Sequence, residues 1–300
     1  MATATAITTP RRVVSASAGN AIRYTLRRTG VTVGTILVSG LILCVLWQLV
    51  VTFANQPFLV KGPLDVLVYF TQDAAPTGGA DAADSTAVAH RALLASLLGT
   101  TLADAALGFV VGLALSISIS IAFTMFRVVE FVFMPVAMLL RTVPLLAMAP
   151  VIYIVFGNGR VTAALIGTVV VLFPVLVNLT LGLRSVSEQS VDLVTVYGGS
   201  RFTVLRLVAI PTALPYLFAS MRIAVPGSIA GAMLYEYLFT TQGLGATITQ
   251  AKAAFDYPLI WASTVLATIV SIVLYTITTI VEAAVLSEWG PDAGRAAGKQ

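Results

Sequence analysis

Charged residues are scarce in this sequence: they make up 10% of its 300 residues, against 58% hydrophobic residues. A soluble domain has about 25% charged residues, so this chain lacks the charge to cover a soluble surface. The mean hydropathy is +0.96, and the apolar runs are of bilayer length. A β-barrel would instead show alternating segments of about ten residues. The composition therefore predicts an all-α, polytopic helical membrane protein.

Cysteine and histidine each occur once, as Cys44 and His90. A single cysteine excludes an intrachain disulfide, and one histidine with one distant cysteine does not suggest a zinc or haem site. The phosphate-binding pattern G-x-x-x-x-G-K-[ST] is also absent, since the only Gly-Lys pair is Gly298-Lys299. We expect no metal, cofactor or nucleic-acid partner. Any energy from ATP must come from another subunit.

The first 30 residues contain five arginines and no acid. The apolar run 31–53 follows and is predicted to be the first transmembrane helix. A basic start before an apolar run could also be a secretory signal, but this run is too long and no A-x-A-like cleavage site follows it. The tail 1–30 could contact anionic lipid, yet its simpler role is to stay in the cytoplasm and set the topology.

Six transmembrane helices are predicted in total. Residues 54–90 form an extracytoplasmic loop with an acidic bias, containing a short interfacial helix at 62–70 and a mobile loop at 71–86. Residues 91–286 hold five further spans, and 287–300 form a cytoplasmic tail. The five spans are placed at 93–123, 131–156, 161–183, 216–239 and 259–286, with a short turn containing Arg127 and Glu130 before the second of them.

Two of these spans have unusual composition. In the span at 93–123, Gly108, Gly112, Ser116 and Ser120 recur every four residues, which predicts close packing against another helix. The span at 131–156 is interrupted by three prolines: Pro135, Pro144 and Pro150. Because proline removes a backbone hydrogen bond, we predict a broken or kinked element that is buried in protein or lines a watery cavity.

The basic residues fix an orientation for six spans. An even number of spans from a cytoplasmic N-terminus places both tails and the loop 184–211 inside. The inside set is Arg11, Arg12, Arg23, Arg27, Arg28, Arg127, Arg184, Arg201, Arg206, Arg295 and Lys299. The outside set is Lys61, Arg91, Arg160 and Lys252. This excess inside supports cytoplasmic N- and C-termini.

The polar stretch Asp192–Pro215 lies between two predicted spans and has internal structure. Gly198 and Gly199 permit positive φ or close backbone approach. Ser200 can cap the helix that follows. Pro211 is expected to end this segment, and Pro215 to sit in the first turn of the next span.

These residues resemble the permease subunits of bacterial ABC importers, whose cytoplasmic loop has the motif E-A-A, three residues, G, nine residues, I-x-L-P. Gly198 is followed nine residues later by Val208-Ala209-Ile210-Pro211, and E-A-A falls on Asp192-Leu193-Val194, which keeps the acid alone. Residues 141–159, the run from Met221 to Glu236, and Gly243-Leu244-Gly245 are also similar to the family. The chain is most similar to the nitrate/sulfonate/taurine-type group. One difference is Asp104, where that group commonly has a basic residue.

The resemblance implies a coupling helix in this loop that docks in a groove of an ATPase subunit. The coupling residues would be Asp192, Gly198, Gly199, Ser200, Arg201, Arg206 and Pro211. It also implies two permease subunits, identical or homologous, with two ATPase subunits inside and a solute-binding protein outside. The alternative from the residues alone is an ordinary amphipathic loop whose arginines set topology.

Four charged residues lie in or near the predicted bilayer: Asp104, Arg141, Arg222 and Glu236. Charge is costly there, so each should face a partner or a cavity. One interpretation is a translocation path for an ionic solute, with Arg141 beside the break at Pro144. The other is structural pairing between spans or subunits, such as Arg141 with Glu236 near the outer leaflet. Arg222 and Glu236 lie about 21 Å apart along one helix and cannot pair with each other.

These observations predict the membrane subunit of an ATP-driven importer in a bacterial inner or plasma membrane. The resemblance implies that it moves a small solute inward by alternating access, and the most similar group, together with Arg141, favours an anionic or zwitterionic solute. No nucleophile–base pair is visible, so an enzyme is not expected. An alternative is an ion- or proton-coupled secondary transporter, which predicts internal repeats that are not clear here. A non-transporting scaffold would not need three prolines in one span.

Overall fold

The structure is a computed structural model that describes residues 38–71 and 87–289. The first helix, α1, is Val38–Ala54, which covers most of the predicted first span; residues 31–37 of that span lie outside the described residues. Helix α2, Pro63–Thr71, confirms the short helix predicted at 62–70. The basic tail 1–30, nearly all of the predicted mobile loop, and the end of the C-terminal tail lie outside the described residues.

The remaining described residues form nine helices, joined by short turns. They are α3 (Ala87–Met125), α4 (Arg127–Thr142), α5 (Leu145–Phe156), α6 (Arg160–Arg184), α7 (Glu188–Val196), α8 (Arg201–Val204), α9 (Ile210–Phe239), α10 (Leu244–Ala253) and α11 (Tyr257–Trp289). A π-helical turn, Leu205–Ala209, joins α8 to α9 without a break. The all-α class is therefore confirmed.

Four of the described helical stretches are long and apolar enough to cross a membrane: α3, α6, Arg201–Phe239 and α11. The pair α4 and α5 makes a fifth if it counts as one span. The chain is thus a multi-pass membrane protein, whereas the predicted number of six spans is not confirmed by the described part of the chain. Helix α3 is longer than predicted because it begins at Ala87; its 39 residues extend about 58 Å, well beyond one bilayer core.

Helices α3, α6 and α9 form the packed centre of the region from Asp65 onward. A Cβ atom on Gly108 would lie 2.7 Å from the Gly167 Cα atom, so the two helices meet backbone to backbone. About two turns and three turns further along α3, the Ser116 and Ser120 hydroxyls donate to α6 carbonyls at 3.1 and 3.3 Å. The packing face predicted from the four small residues is confirmed, and its serines join the two helices with hydrogen bonds.

The break in the proline-rich span lies at Val143-Pro144, where α4 and α5 meet at an angle of 105°. Proline disfavours helical geometry in the residue before it, and Val143 accordingly has ψ 124°. The predicted broken element is confirmed. The predicted turn containing Arg127 and Glu130 is wrong, because both residues lie in the first helical turn of α4. Glu130 is stabilised there by the helix dipole and by an ion pair with Arg184 of α6.

Helix α11 packs against α9 and α10. Its acid Glu282 lies 3.1 Å from the Arg222 guanidinium of α9. Two charges that would each be costly in a bilayer therefore face one another.

Candidate functional site

The segment that joins α6 to α9, residues 185–209, is built from two capped helices; we call it the connecting segment. Ser187 caps α7, accepting a hydrogen bond from the Ser190 backbone N–H at 3.3 Å. At the other end, Gly198 has φ +82°. The Gly198 N–H donates to Thr195 O and the Gly199 N–H to Val194 O, both at 2.9 Å. This is the Schellman arrangement, in which glycine provides the left-handed residue that ends a helix.

Ser200 starts the next helix, as predicted. Its hydroxyl accepts from the Thr203 N–H at 3.3 Å, and the Thr203 hydroxyl accepts from the Ser200 N–H at the same distance. This reciprocal capping box fixes the first turn of α8. Gly199 fits between the two helices because its position lies against the Val194 side chain and carbonyl.

The prediction that Pro211 ends the segment is wrong, because the helix continues from Arg201 to Phe239. A proline ring clashes with the carbonyl four residues before it, which here belongs to Leu207. The wider π-helical turn relieves that crowding: the Ile210 N–H donates five residues back, to Leu205 O. Pro215 likewise lies inside α9 rather than in a first turn after a break.

The connecting segment exposes large apolar side chains. The exposed fractions are 86% for Tyr197 and 82% for Val196, and Leu193, Phe202 and Leu207 are also exposed. Asp192, Arg201 and Arg206 are exposed on the same segment. Exposed apolar side chains beside exposed charges are typical of an interaction surface.

The opposite face of the connecting segment is buried in the helix bundle. Leu205 and Ala209 pack against Leu179 and Leu183 of α6, with partly buried residues of α3 completing the cluster. The ion pair between Arg184 and Glu130 lies beside it. The buried face of the connecting segment is therefore in contact with the ends of α3, α6 and α9.

At the other end of α6, a polar cleft of about 740 Å³ opens between α3, the turn before α6, and the end of α9. Its polar lining residues are Ser96, Thr100, Asp104, Asn158, Arg160, Tyr235, Thr240, Thr241 and Gln242. The buried Tyr235 hydroxyl contacts Asn158 Oδ1 at 2.8 Å and the Gly159 backbone at 3.2 Å. This side chain fixes the turn that precedes Arg160.

Beside the cleft, Glu236 is fully buried and holds the start of α10. Its Oε2 atom accepts from the Thr101 hydroxyl at 2.9 Å and from the Gly245 N–H at 2.8 Å. The Thr101 hydroxyl in turn accepts from the Leu244 N–H at 2.9 Å. Gly243 has φ +93°, and a Cβ atom there would collide with the Glu236 carboxylate. The chain therefore wraps tightly around this acid.

The predicted path residues fall at separate places. Asp104 lines the cleft and Glu236 lies buried next to it, whereas Arg222 pairs with Glu282. Arg141 is exposed in the last turn of α4, beside the bend at Pro144. Arg141 and Glu236 share no hydrogen bond or ion pair within the described part of this chain, so a pair between them stays a prediction for two subunits.

Sequence reasoning missed Arg160 and Tyr235 as cleft residues, and Glu282 as the partner of Arg222. For Glu282 a signal existed: it is an acid inside the predicted last span, and the rule that singled out Arg222 applies to it equally. The sequence gives no signal for Tyr235, because tyrosine is common in apolar runs and does not by itself indicate a site.

A family model described as "binding-protein-dependent transport system inner membrane component" matches residues 108–287. The chain belongs to this family. The match covers α6, the whole connecting segment and α9, and it begins after the α3 residues that line the cleft. It confirms the resemblance drawn from the loop motif.

Three relatives show the range of family members similar to this chain. A riboflavin transport system permease of Chloroflexus aurantiacus is 30% identical over 49% of this chain and 55% of its own length. A formylaminopyrimidine transport permease of Halalkalibacterium halodurans is 26% identical over 74% and 82%. The taurine transport system permease of Escherichia coli is 28% identical over 75% and 77%. The chain thus spans about half of the first relative and most of the other two.

Proposed function

We propose that this chain is the permease subunit of an ATP-driven importer in a bacterial inner or plasma membrane. Two permease subunits, identical or homologous, would assemble with two ATPase subunits on the cytoplasmic side and a solute-binding protein outside. The family match and the relatives support a transport role. The proposal that this chain docks on an ATPase rests on the connecting segment. One face of this segment is exposed and carries apolar side chains, and the other face packs into the helix bundle.

In this proposal, Tyr197, Phe202 and the nearby arginines dock in a groove of the ATPase. Aromatic and arginine side chains are the residues that most often dominate binding energy at interfaces. Closure of the ATPases on ATP would push the connecting segment, and the buried contacts of Leu205 and Ala209 would pass that displacement to α6. The spans would then rock between inward- and outward-facing states.

The solute we propose is small and anionic or zwitterionic, as sulfonates, nitrate and taurine are. The taurine permease relative supports this class. The cleft lined by Asp104 and Arg160 lies at the far end of α6 from the connecting segment, so the ATPase and the entry point for solute would be on opposite sides of the membrane.

The test is charge reversal in the connecting segment, Arg201→Glu/Arg206→Glu. We expect the variant to lose co-purification with the ATPase and ATP-dependent uptake, because both arginines are exposed and available to acids of a partner. Tyr197→Ala alone should weaken ATPase binding by roughly tenfold.

The matched control reverses two exposed basic residues at the other end of the bundle, Arg91→Glu/Lys252→Glu. This control should keep the ATPase bound. If the connecting-segment variant also keeps the ATPase and transports normally, the docking role of this segment is refuted.

A further inference from the structure

Two residues of opposite charge line the same cleft without forming an ion pair. Asp104 lies on the inner side of α3 and is half-buried, and Arg160 is the first residue of α6. Arg160 is near enough to act electrostatically on the Asp104 carboxylate. Even so, the two side chains form no ion pair, and neither makes a side-chain hydrogen bond within the described residues.

Helix packing and hydrogen bonds hold the backbone that carries both residues. Asp104 lies one helical turn before Gly108, and Arg160 lies two turns before Gly167, where α3 and α6 touch backbone to backbone. The turn before Arg160 is held by the Tyr235 hydroxyl through Asn158 and Gly159. The fold therefore brings a carboxylate from α3 and a guanidinium from α6 to the same cleft.

The cleft has the size and position of an entry site. Its volume of about 740 Å³ falls within the range of about 300–1,000 Å³ of small-molecule sites. Helix α6 has 25 residues and is about 37 Å long, so Arg160 at its start and Arg184 at its end lie near opposite boundaries of a hydrocarbon core about 30 Å thick. A solute bound in the cleft would therefore be at the mouth of the membrane region.

We propose that this cleft selects a zwitterionic solute. Asp104 would accept hydrogen bonds from the solute's ammonium group, and Arg160 would donate to its anionic group. A simple anion would be repelled by Asp104, and a simple cation by Arg160, so each charge rejects one class of competitor. This inference rests on the proposed function and narrows its solute class from anionic or zwitterionic to zwitterionic.

The experiment measures binding of three matched probes to the assembled transporter in lipid nanodiscs without its binding protein. The probes are 2-aminoethanesulfonate, 2-hydroxyethanesulfonate and 2-aminoethanol, which present both charges, the anion alone and the cation alone on one two-carbon frame. Equilibrium dialysis gives the three affinities for the wild type, Asp104→Asn, Arg160→Gln and the control Arg91→Gln. Arg91 is exposed on α3 and does not line the cleft. Thermal unfolding checks that each variant is folded.

We expect the wild type and Arg91→Gln to prefer the zwitterion over each singly charged probe by about tenfold or more, since hydrogen bonds between charged groups supply that margin. Asp104→Asn should lose the preference over the anion alone, and Arg160→Gln the preference over the cation alone. The proposal is overturned if the wild type binds the anion as tightly as the zwitterion, shows no saturable binding, or keeps its preferences in both variants.

The same preparations separate this proposal from the proposed function. If the ATPase co-purifies and ATP drives uptake while the probes show no charge preference, the solute class alone is wrong. If the ATPase does not assemble with the chain, the importer assignment fails, and dialysis with the chain alone in nanodiscs still decides whether the cleft selects a zwitterion.

Discussion

At the scale of single residues, the most constrained side chain in the described structure is Glu236. It is fully buried, and its Oε2 atom accepts from two donors while its Oε1 atom makes no hydrogen bond within the described residues. A buried acid is tolerated where hydrogen bonds offset the cost of its desolvation. Removing the acid then leaves a donor group unpaired. Here that group is the Gly245 N–H, because Thr101 can still donate to Leu97 O.

Glu236→Ala should therefore destabilise the protein by about 1–3 kcal/mol, the cost of one buried unsatisfied donor. Glu236→Gln should cost less, because its amide oxygen can still accept from Gly245. Thermal unfolding in detergent measures both, with Glu288→Ala, an exposed acid on α11, as the control. Equal losses in the Ala and Gln variants would contradict this account.

At the scale of helices, the contact between α3 and α6 sets the distance between the two walls of the cleft. Gly108 and Gly167 meet so closely that a Cβ atom on either would approach the other's Cα atom to 2.7 or 2.8 Å. Backbone atoms cannot move aside as a flexible side chain can. Any larger residue must push the helices apart.

Gly108→Leu should accordingly lower stability by about 1–3 kcal/mol, the usual cost of overpacking a well-packed interior. The matched control is Gly99→Ala on the same helix, where nothing lies within 4 Å of the new Cβ atom; it should be stabilising by up to about 1 kcal/mol through helix propensity. Melting temperatures of the two variants should therefore move in opposite directions. A melting temperature for Gly108→Leu that equals the wild type would show that the helices do not meet as described.

Sequence reasoning succeeds for elements whose cause is local. The cap at Ser200, the break at Pro144 and the small-residue face of α3 each follow from residues within a few positions. The prediction fails at Pro211, because a π-helical turn accommodates the proline and the helix continues. The local sequence does not distinguish a helix that continues in this way from one that ends. The cleft could not be predicted from the sequence for a different reason. Its residues Asp104, Arg160 and Tyr235 come together through helix packing, which is a property of the whole bundle.

At the scale of the whole molecule, the two candidate functional regions lie at opposite ends of the helices that join them. Helix α6 begins at the cleft and ends at the connecting segment, and α9 runs the other way. If the chain crosses the membrane along these helices, one region is inside and the other outside. The excess of basic residues in the predicted inside set predicts that the connecting segment is cytoplasmic.

Cysteine labelling tests this orientation, and the chain is suited to it because Cys44 is its single cysteine. Ser187 is exposed in the connecting segment, and Ala254 is exposed just after α10. In a Cys44→Ala background, the variants Ser187→Cys and Ala254→Cys therefore each place one reactive thiol at a known end of the bundle. A membrane-impermeant maleimide added to intact spheroplasts should label Ala254→Cys at once and Ser187→Cys after the membrane is permeabilised. The reverse pattern would place the connecting segment outside, where no ATPase could reach it, and the importer proposal would fail together with the orientation.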